Sequence, residues 1–338
     1  MKAWCIKKGA SSLDDLVMVE REMPIVAPGE VLIKVRACSI NYRDQLIPKG
    51  QYFGGTLAQD VVPLSDGVGE IEAVGAGVTR FKVGDRVAGT FFQGWMDGPP
   101  NPDPGAALGA PPADGMLAEY VVLSEQGVVP MAASLSFEEA ATLPCAGVTA
   151  WNALMEGPRP TVAGDHVLVI GTGGVSLLAL QIAKAAGATV IATSSSDDKL
   201  RRAVALGADA TINYIDTPEW GAEAARLSGK PGVEHVIEVG GAGTLAQSFR
   251  AVGFGGEVSL IGVLTRSGET GPHALMLKGA SMRGIFVGSA GMAQRLNSFI
   301  DTHKIKPVVD KVFGFAEAKA AYAYQASSGL FGKVVIRV

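Results

Sequence analysis

One stretch constrains this chain more than any other: HVLVIGTGGVSLLALQIAKAAGATVIATSSSDDK, residues 166–199. Residues 167–170 (VLVI) are an apolar run too short for a helix and suited to a parallel strand buried on both faces. The run stops at Gly171-Thr172-Gly173-Gly174, after which Val175, Leu178, Ile182 and Ala185 recur at the spacing of one helix face. Gly187 closes that helix, and residues 189–193 read as a second strand. Strand, glycine turn, helix and strand within about 30 residues make the βαβ unit that takes up dinucleotides.

The turn's composition follows from that task. Gly171 allows the tight bend, and the missing Cβ at Gly173 lets the backbone approach a pyrophosphate. The free N–H groups around Thr172, Gly174 and Val175, with the positive end of the helix, then meet the negative charge. Ser176 stands where the third glycine of GxGxxG would be and is still small enough for close helix–strand packing. In a chain with 44 glycines the motif alone would carry little weight; a complete βαβ setting gives it weight. The alternative is a packing turn that binds nothing.

An acidic residue about 20 residues past the first glycine would hold the ribose diol of NAD. Here the position is Ser194, 23 residues on, in the run Ser194-Ser195-Ser196 with Lys199 close behind. Hydroxyls do not repel a 2′-phosphate and an ammonium attracts one. The expectation is NADP(H) in preference to NAD(H). The competing reading is a solvated serine-rich helix start with a surface lysine, Asp197 and Asp198 capping the next helix.

At 338 residues the chain can hold two domains and a large core. A net charge of −4 points to no nucleic-acid or anionic-membrane partner. Cys5, Cys38 and Cys145 are too few and scattered for a disulfide framework, which fits a reducing, cytoplasmic setting. The first residues lack the apolar core of a signal peptide, and turn residues interrupt the uncharged stretch 167–183, so no membrane span is expected.

Residues 1–90 read as all-β. Residues 31–37 (VLIKVRA) alternate, 67–74 (GVGEIEAV) form a glycine-rich strand, and 81–87 (FKVGDRV) turn into another, together suggesting a small barrel-like domain. Residues 91–116 are rich in proline and glycine, with Phe91, Phe92 and Trp95 at the start either lining a substrate pocket or anchoring a surface excursion. Strand patterning resumes at 117–123, and Ser136 with Glu139 spells a capping box. Helices are then expected at 199–206, 220–227 and 244–252, and strands at 210–213, 235–239, 257–261 and 281–286. With the first two strands this makes about six parallel strands in a doubly wound α/β sheet. A helix at 290–302 follows, and the terminal strand 332–338 (GKVVIRV) is expected to return to the first domain. The expected domains are 1–144 with 287–338, and 145–286.

The motifs GVGEIEAVGAGV (67–78), KVGDRV (82–87), LPCAGVTAW (143–151), GTGGV (171–175), LGADATINY (206–214) and GKVVI (332–336), in this order, resemble the medium-chain dehydrogenase/reductase superfamily over essentially the whole chain. The resemblance implies a GroES-like β-barrel catalytic domain plus a Rossmann doubly wound parallel sheet, with the active site in the cleft between them. Many members hold a catalytic zinc on two Cys and one His. Asn41 stands at the first Cys position and Ser65 at the His position, followed by Asp66 where the family has Glu, and only Cys145 remains. One thiolate cannot build a three-ligand catalytic site. The stretch 91–116 lacks the cysteines of a structural zinc lobe, and His166, His235, His273 and His303 have no ligand spacing. No zinc is expected, which leaves Cys145 as a small core residue and Asn41 as a polar cleft residue.

Without zinc, the chain is similar to the quinone-oxidoreductase branch, where Asn replaces the first Cys in an IN(Y/F)xD motif and NADPH reduces activated double bonds or quinones. That resemblance implies contact of Lys199 and Tyr214 with the adenosine 2′-phosphate, of Thr149 with the nicotinamide face, and of the backbone at 262–264 and 286–288 with the carboxamide. Ser195, Gly240, Gly262, Val263, Phe286, Val287 and Lys333 complete the expected cofactor contacts. Lacking a Lewis acid, the oxyanion or enolate formed on hydride arrival needs hydrogen-bond donors. Asn41 can supply an amide N–H, Tyr42 stands beside it, and Tyr52 occupies the place of a proton-donating tyrosine in related enoyl reductases, its pKa open to lowering by cationic neighbours. The other reading of Tyr52 is a pocket wall. Arg43 and Asp44 read as a structural ion pair. The GTGGV turn is closer to alcohol-dehydrogenase branches, so three readings stand: a zinc-independent NADP(H)-dependent reductase of a carbonyl, enone or quinone; a metal-free alcohol dehydrogenase; and a non-catalytic NADP(H)-binding protein. Family analogy further implies a homodimer joined at Rossmann sheet edges.

Overall fold

The alternating run at 31–37 belongs to a longer strand, Glu30–Ile40, which is the spine of a seven-stranded sheet. It pairs antiparallel with Asp66–Val74, Tyr120–Ser124 and Lys333–Arg337. From Asp66–Val74 the sheet continues through Arg86–Gly89 to Val128–Pro130, and from Lys333–Arg337 to the parallel strand Val309–Gly314. The glycines of the 67–74 strand are explained by close approach: a Cβ on Gly69 would lie 2.1 Å from the Lys34 carbonyl oxygen. Register shifts at Leu32/Ile33 and Val35/Ala37 add the local bend and twist that curl a sheet. Val31, Ile33, Val35, Ile71, Val87 and Leu117 fill its core, closed by the fully buried Tyr322.

The computed structural model describes every residue except 53, 54, 101–104, 263, 266 and 269. The described chain divides into two compact units, Met1–Val148 with Gly288–Val338, and Thr149–Val287. Val263, expected in the nucleotide site, lies outside the described residues.

In the second unit, six parallel strands stand in the order Ala210–Asn213, Thr189–Ser194, His166–Ile170, Val233–Glu238, Val252–Leu260, Ser281–Gly284. The chain runs outward from His166–Ile170 in one direction and then restarts beside it at Val233–Glu238. That reversal is the topological switch point at which open α/β sheets bind ligands. Leu168, Ile191, Val236 and Val258 pack the sheet against its helices.

One local expectation needs correcting. Residues 1–90 are not all-β: Tyr42–Leu46 is a short helix, at whose start the Asn41 N–H donates to the Asp44 carboxylate. Five residues are too few to show a helical period. The start of the stretch 91–116 is packed, its aromatics holding it to the first unit. Phe91, Phe92 and Trp95 are buried, Phe92 bridges to Ala107, and the carbonyls of Trp95 and Met96 accept from the N–H groups of Ala290 and Gly291.

Candidate active site

The glycine turn of the second unit has the shape its composition suggests. Gly171 sits at φ +72°, a left-handed conformation that glycine adopts without strain. Gly173 is the N-cap of the helix Gly174–Ala185, and at both glycines an added Cβ would meet no atom within 4 Å. The helix's unpaired N–H groups therefore face space that an anion can enter. Ser176 is buried and donates its hydroxyl to the Ile170 carbonyl at 2.7 Å. Thr172 is buried beside this turn, while Gly174 and Val175 are half-buried.

At the end of the next strand, Ser194 is buried and its Oγ accepts the Ser196 N–H at 3.2 Å, whereas Ser195 is exposed. Ser196 caps the helix Asp197–Ala205 by accepting the Lys199 N–H at 3.4 Å. The expectation that Asp197 and Asp198 cap this helix is therefore corrected. They lie in its first turn, where Asp197 accepts from Asn213 Nδ2 at 2.8 Å and Asp198 pairs with Arg201. Tyr214 donates its backbone N–H to the Ser194 carbonyl at 3.1 Å, so Ser194, Lys199 and Tyr214 are gathered at one strand end.

Three residues of this unit lie outside the sequence expectations: Glu238, Asn152 and Arg283. Glu238 ends its strand fully buried, and its carboxylate accepts from Gly240 N–H at 2.7 Å, Gly241 N–H at 3.0 Å, the Thr244 hydroxyl at 2.6 Å and the Ser248 hydroxyl. Gly262 closes the same corner by donating to the Glu238 carbonyl at 2.9 Å. Val287 has φ +54°, an outlier for a β-branched residue. Its carbonyl is held by Asn152 Nδ2 at 2.7 Å, and Arg283 in turn donates to Asn152 Oδ1 at 3.0 Å. Thr149 is buried and Phe286 half-exposed. A Glu followed by V-G-G-A-G-T was the one available sequence signal for the first of the three; the Arg283 contacts span 131 residues and left none.

In the first unit a buried polar cluster forms around Asn41. Lys333 donates its ammonium to the Asn41 side-chain oxygen and to the Ile40 carbonyl at 2.7 Å, and lies 3.6 Å from Asp66. Asp66 accepts from the Ser39 hydroxyl at 3.0 Å and the Ser65 hydroxyl at 2.9 Å. Asn41 Nδ2 reaches Ser65 Oγ at 3.5 Å. Lys333, expected on the cofactor, is thus found inside this cluster.

These residues are a poor fit for zinc. The Asn41 oxygen is taken by an ammonium, and Ser65 gives its proton to Asp66. Cys145 is half-buried rather than a core residue; loss of solvent around its thiol raises it far above the usual thiol range, Asp66 adding to the effect and Lys333 and Arg43 opposing it. Among the described residues no three His, Cys, Asp or Glu side chains are placed to share a metal.

The expected Arg43–Asp44 ion pair is corrected. Arg43 is buried with its guanidinium 4.8 Å from the Tyr52 ring centre and 4.6 Å from that of Phe91, and Nη1 donates to the Leu108 carbonyl at 2.9 Å. Asp44 accepts the Asn41 N–H at 2.7 Å instead, and burial pushes its carboxyl up to about 6. The anticipated lowering of Tyr52 is corrected as well: burial raises its phenol above the ordinary range and outweighs the opposing Arg43 charge. Tyr42 opens the short helix and is 43% exposed. Phe91 packs edge-on to Phe92 at 4.8 Å and lines an apolar pocket with Met131, Leu143 and Val148. Phe92 and Trp95 present almost no surface, Trp95 donating Nε1 to the Gly98 carbonyl at 3.2 Å.

A parallel six-stranded sheet with an open glycine turn at its switch point, carried on a chain that also builds a mostly antiparallel sheet, is the architecture of a dinucleotide-binding protein. The alcohol dehydrogenase GroES-like domain family matches residues 27–133, and the zinc-binding dehydrogenase family matches 174–302. A zinc-type alcohol dehydrogenase-like protein of Schizosaccharomyces pombe is 47% identical, the match covering 97% of this chain and 96% of that protein. A quinone oxidoreductase of Rattus norvegicus is 30% identical over 95% of this chain and 94% of its own. The crystal structure of an alcohol dehydrogenase candidate from Sinorhizobium meliloti 1021 superposes with a TM-score of 0.90 at 42% identity, covering 100% of both chains. The chain belongs to the medium-chain dehydrogenase/reductase superfamily and is an enzyme of small-molecule oxidation and reduction.

Proposed function

We infer that the enzyme is a zinc-independent, NADP(H)-dependent reductase of an activated carbonyl, enone or quinone. The observation that carries this reading is the Asn41–Lys333–Asp66 cluster: Asn41 and Ser65 stand at the family's metal-ligand positions, and the Lys333 ammonium occupies the amide oxygen. The bound nicotinamide supplies the hydride. The protein's part is to hold hydrogen-bond donors toward the oxygen that becomes negative and to provide one proton. Asn41 offers an amide N–H. Tyr52 is kept protonated by burial across the neutral range, which suits a proton source. Preference for the 2′-phosphorylated cofactor is supported by the hydroxyl of Ser194 at the place of the usual carboxylate, with Lys199 and Tyr214 close by in the fold. Thr149, Phe286 and the strained Val287 backbone are the cofactor's proposed neighbours on the nicotinamide side.

The test is NADPH oxidation with a quinone, an enone and a simple ketone, alongside zinc analysis of the purified protein. Turnover that survives a chelator supports the reading, and stoichiometric zinc with chelator-sensitive turnover overturns it. The similarity to alcohol dehydrogenases favours a second reading, a metal-free alcohol dehydrogenase. Turnover of simple alcohols with none of enones or quinones selects it. Cofactor binding without any turnover selects a non-catalytic binding protein.

A cytoplasmic homodimer is part of the same proposal. All three cysteines are free, and no helix among the described residues is long and apolar enough to cross a membrane. The edge strand Ser281–Gly284 exposes Met282, with Met276 and Leu277 exposed on the preceding helix, an apolar edge suited to a second copy.

A further inference from the structure

A carboxamide's oxygen and nitrogen are assigned from their partners, and for Asn41 the partner decides. Lysine carries three donors and no acceptor. Its Nζ lies against the Asn41 side chain while also meeting the Ile40 carbonyl at 2.7 Å and the Asp66 carboxylate at 3.6 Å. The end of Asn41 toward Lys333 is therefore the oxygen, and the NH2 end is turned the other way. One of its protons makes a long contact of 3.5 Å to Ser65 Oγ, whose own proton goes to Asp66 at 2.9 Å. The second Nδ2 proton has no acceptor among the described residues. The Asn41 backbone is fixed as well, its N–H donating to Asp44 at 2.7 Å.

The geometry points to Lys333 as the positioning residue for Asn41. The buried ammonium holds the carboxamide in the one orientation that presents an N–H to an acceptor's oxygen. By drawing charge to Oδ1 it also strengthens that N–H as a donor, as linked hydrogen bonds polarise one another. Asp66, held by two hydroxyls, keeps the ammonium in place. This inference rests on the function proposed above. It assigns Lys333 to the substrate side of the reaction rather than to the cofactor's phosphates.

Removing Lys333 alone would leave the Asp66 carboxylate buried and unpaired, so the pair is neutralised together as K333M/D66N, with K333R as the conservative variant. Kinetics with NADPH and a quinone are expected to show kcat down about 10- to 100-fold in K333M/D66N, the value of a lost charge-assisted hydrogen bond. KM for NADPH stays near wild type, K333R recovers part of the rate, and adding N41A to the pair costs little more. Effects of N41A and K333M/D66N that multiply would overturn the inference, because Lys333 would then act independently. So would weaker NADPH binding with kcat retained, which places Lys333 on the cofactor. The side-chain 15N–1H resonance of Asn41 gives a readout free of turnover: it is expected to move in K333M/D66N and return toward its place in K333R, and an unmoved resonance overturns the inference. A moved resonance in a protein that turns over no acceptor would sink the proposed function while leaving the positioning role intact.

Discussion

Ser176 donates its hydroxyl to the Ile170 carbonyl at 2.7 Å, six residues back across the glycine turn. The bond ties the first turn of the nucleotide helix to the strand it leaves, and shows how serine replaces the third glycine of the fingerprint. S176G should keep cofactor binding and lose about 1–2 kcal/mol of stability, from one hydrogen bond and a helix glycine. S176L should push the helix from the strand and weaken NADPH binding at least tenfold. Thermal unfolding and fluorescence titration check both.

Gly173 separates binding from folding. Its backbone is extended and an added Cβ meets no protein atom within 4 Å. G173A should unfold at nearly the wild-type temperature yet bind NADPH much more weakly, because the methyl occupies the pyrophosphate's space. Equal affinity in the variant would mean that the turn is not the phosphate cradle.

K199A tests cofactor choice. Losing one charge-assisted phosphate contact should weaken NADPH binding about 10- to 100-fold and leave NADH binding nearly unchanged. An equal loss for both dinucleotides would remove Lys199 from the 2′-phosphate.

Asp44 gives the protein a pH-dependent stability term. Burial pushes its carboxyl up to about 6, against 3.8 for the free side chain. Between those values the folded chain binds more protons than the unfolded one, so stability falls as pH rises through the window. Above pH 6 the full cost is present, on the order of 2–3 kcal/mol. His235 slopes the other way: burial lowers it below 6.5, so its contribution is complete above that pH and is lost as pH falls. The difference in melting temperature between D44N and wild type should therefore grow from pH 4 to pH 6. A constant difference would show that Asp44 does not titrate there.

The edge strand Ser281–Gly284 supplies the assembly test. L277D/M282D should convert a dimer into a monomer in sedimentation at micromolar concentration, with cofactor binding retained. A wild-type protein that sediments as a monomer ends the dimer proposal.

Much of the second unit was legible because its signals are local. The βαβ unit is contiguous, and the helix Trp220–Leu227 and the strand Ala210–Asn213 carry their own periods. The strand expected at 257–261 in fact begins at Val252, because Gly253, Gly255 and Gly256 hid its pattern. What stayed hidden depends on contacts distant in sequence or on competition between effects. Arg43 beside Asp44 looks like an ion pair in one dimension, yet its guanidinium is claimed by two rings and the Leu108 carbonyl. The direction of the Tyr52 shift depends on how deeply the phenol is enclosed, which spacing does not encode. The site around Asn41 was located from its motif, but its main partner, Lys333, lies 292 residues away.

That separation has a consequence for how the molecule is made. A growing chain presents Asn41 and Asp66 early, and the whole nucleotide sheet, contiguous from Thr149 to Val287, can close before Lys333 leaves the ribosome. Until the Lys333–Arg337 strand docks on Glu30–Ile40, Asp66 lacks the Lys333 ammonium and the Asn41 side-chain oxygen lacks its donor. The unit that carries the glycine turn can thus mature first, and the cluster proposed to face the substrate is completed by a strand that arrives later.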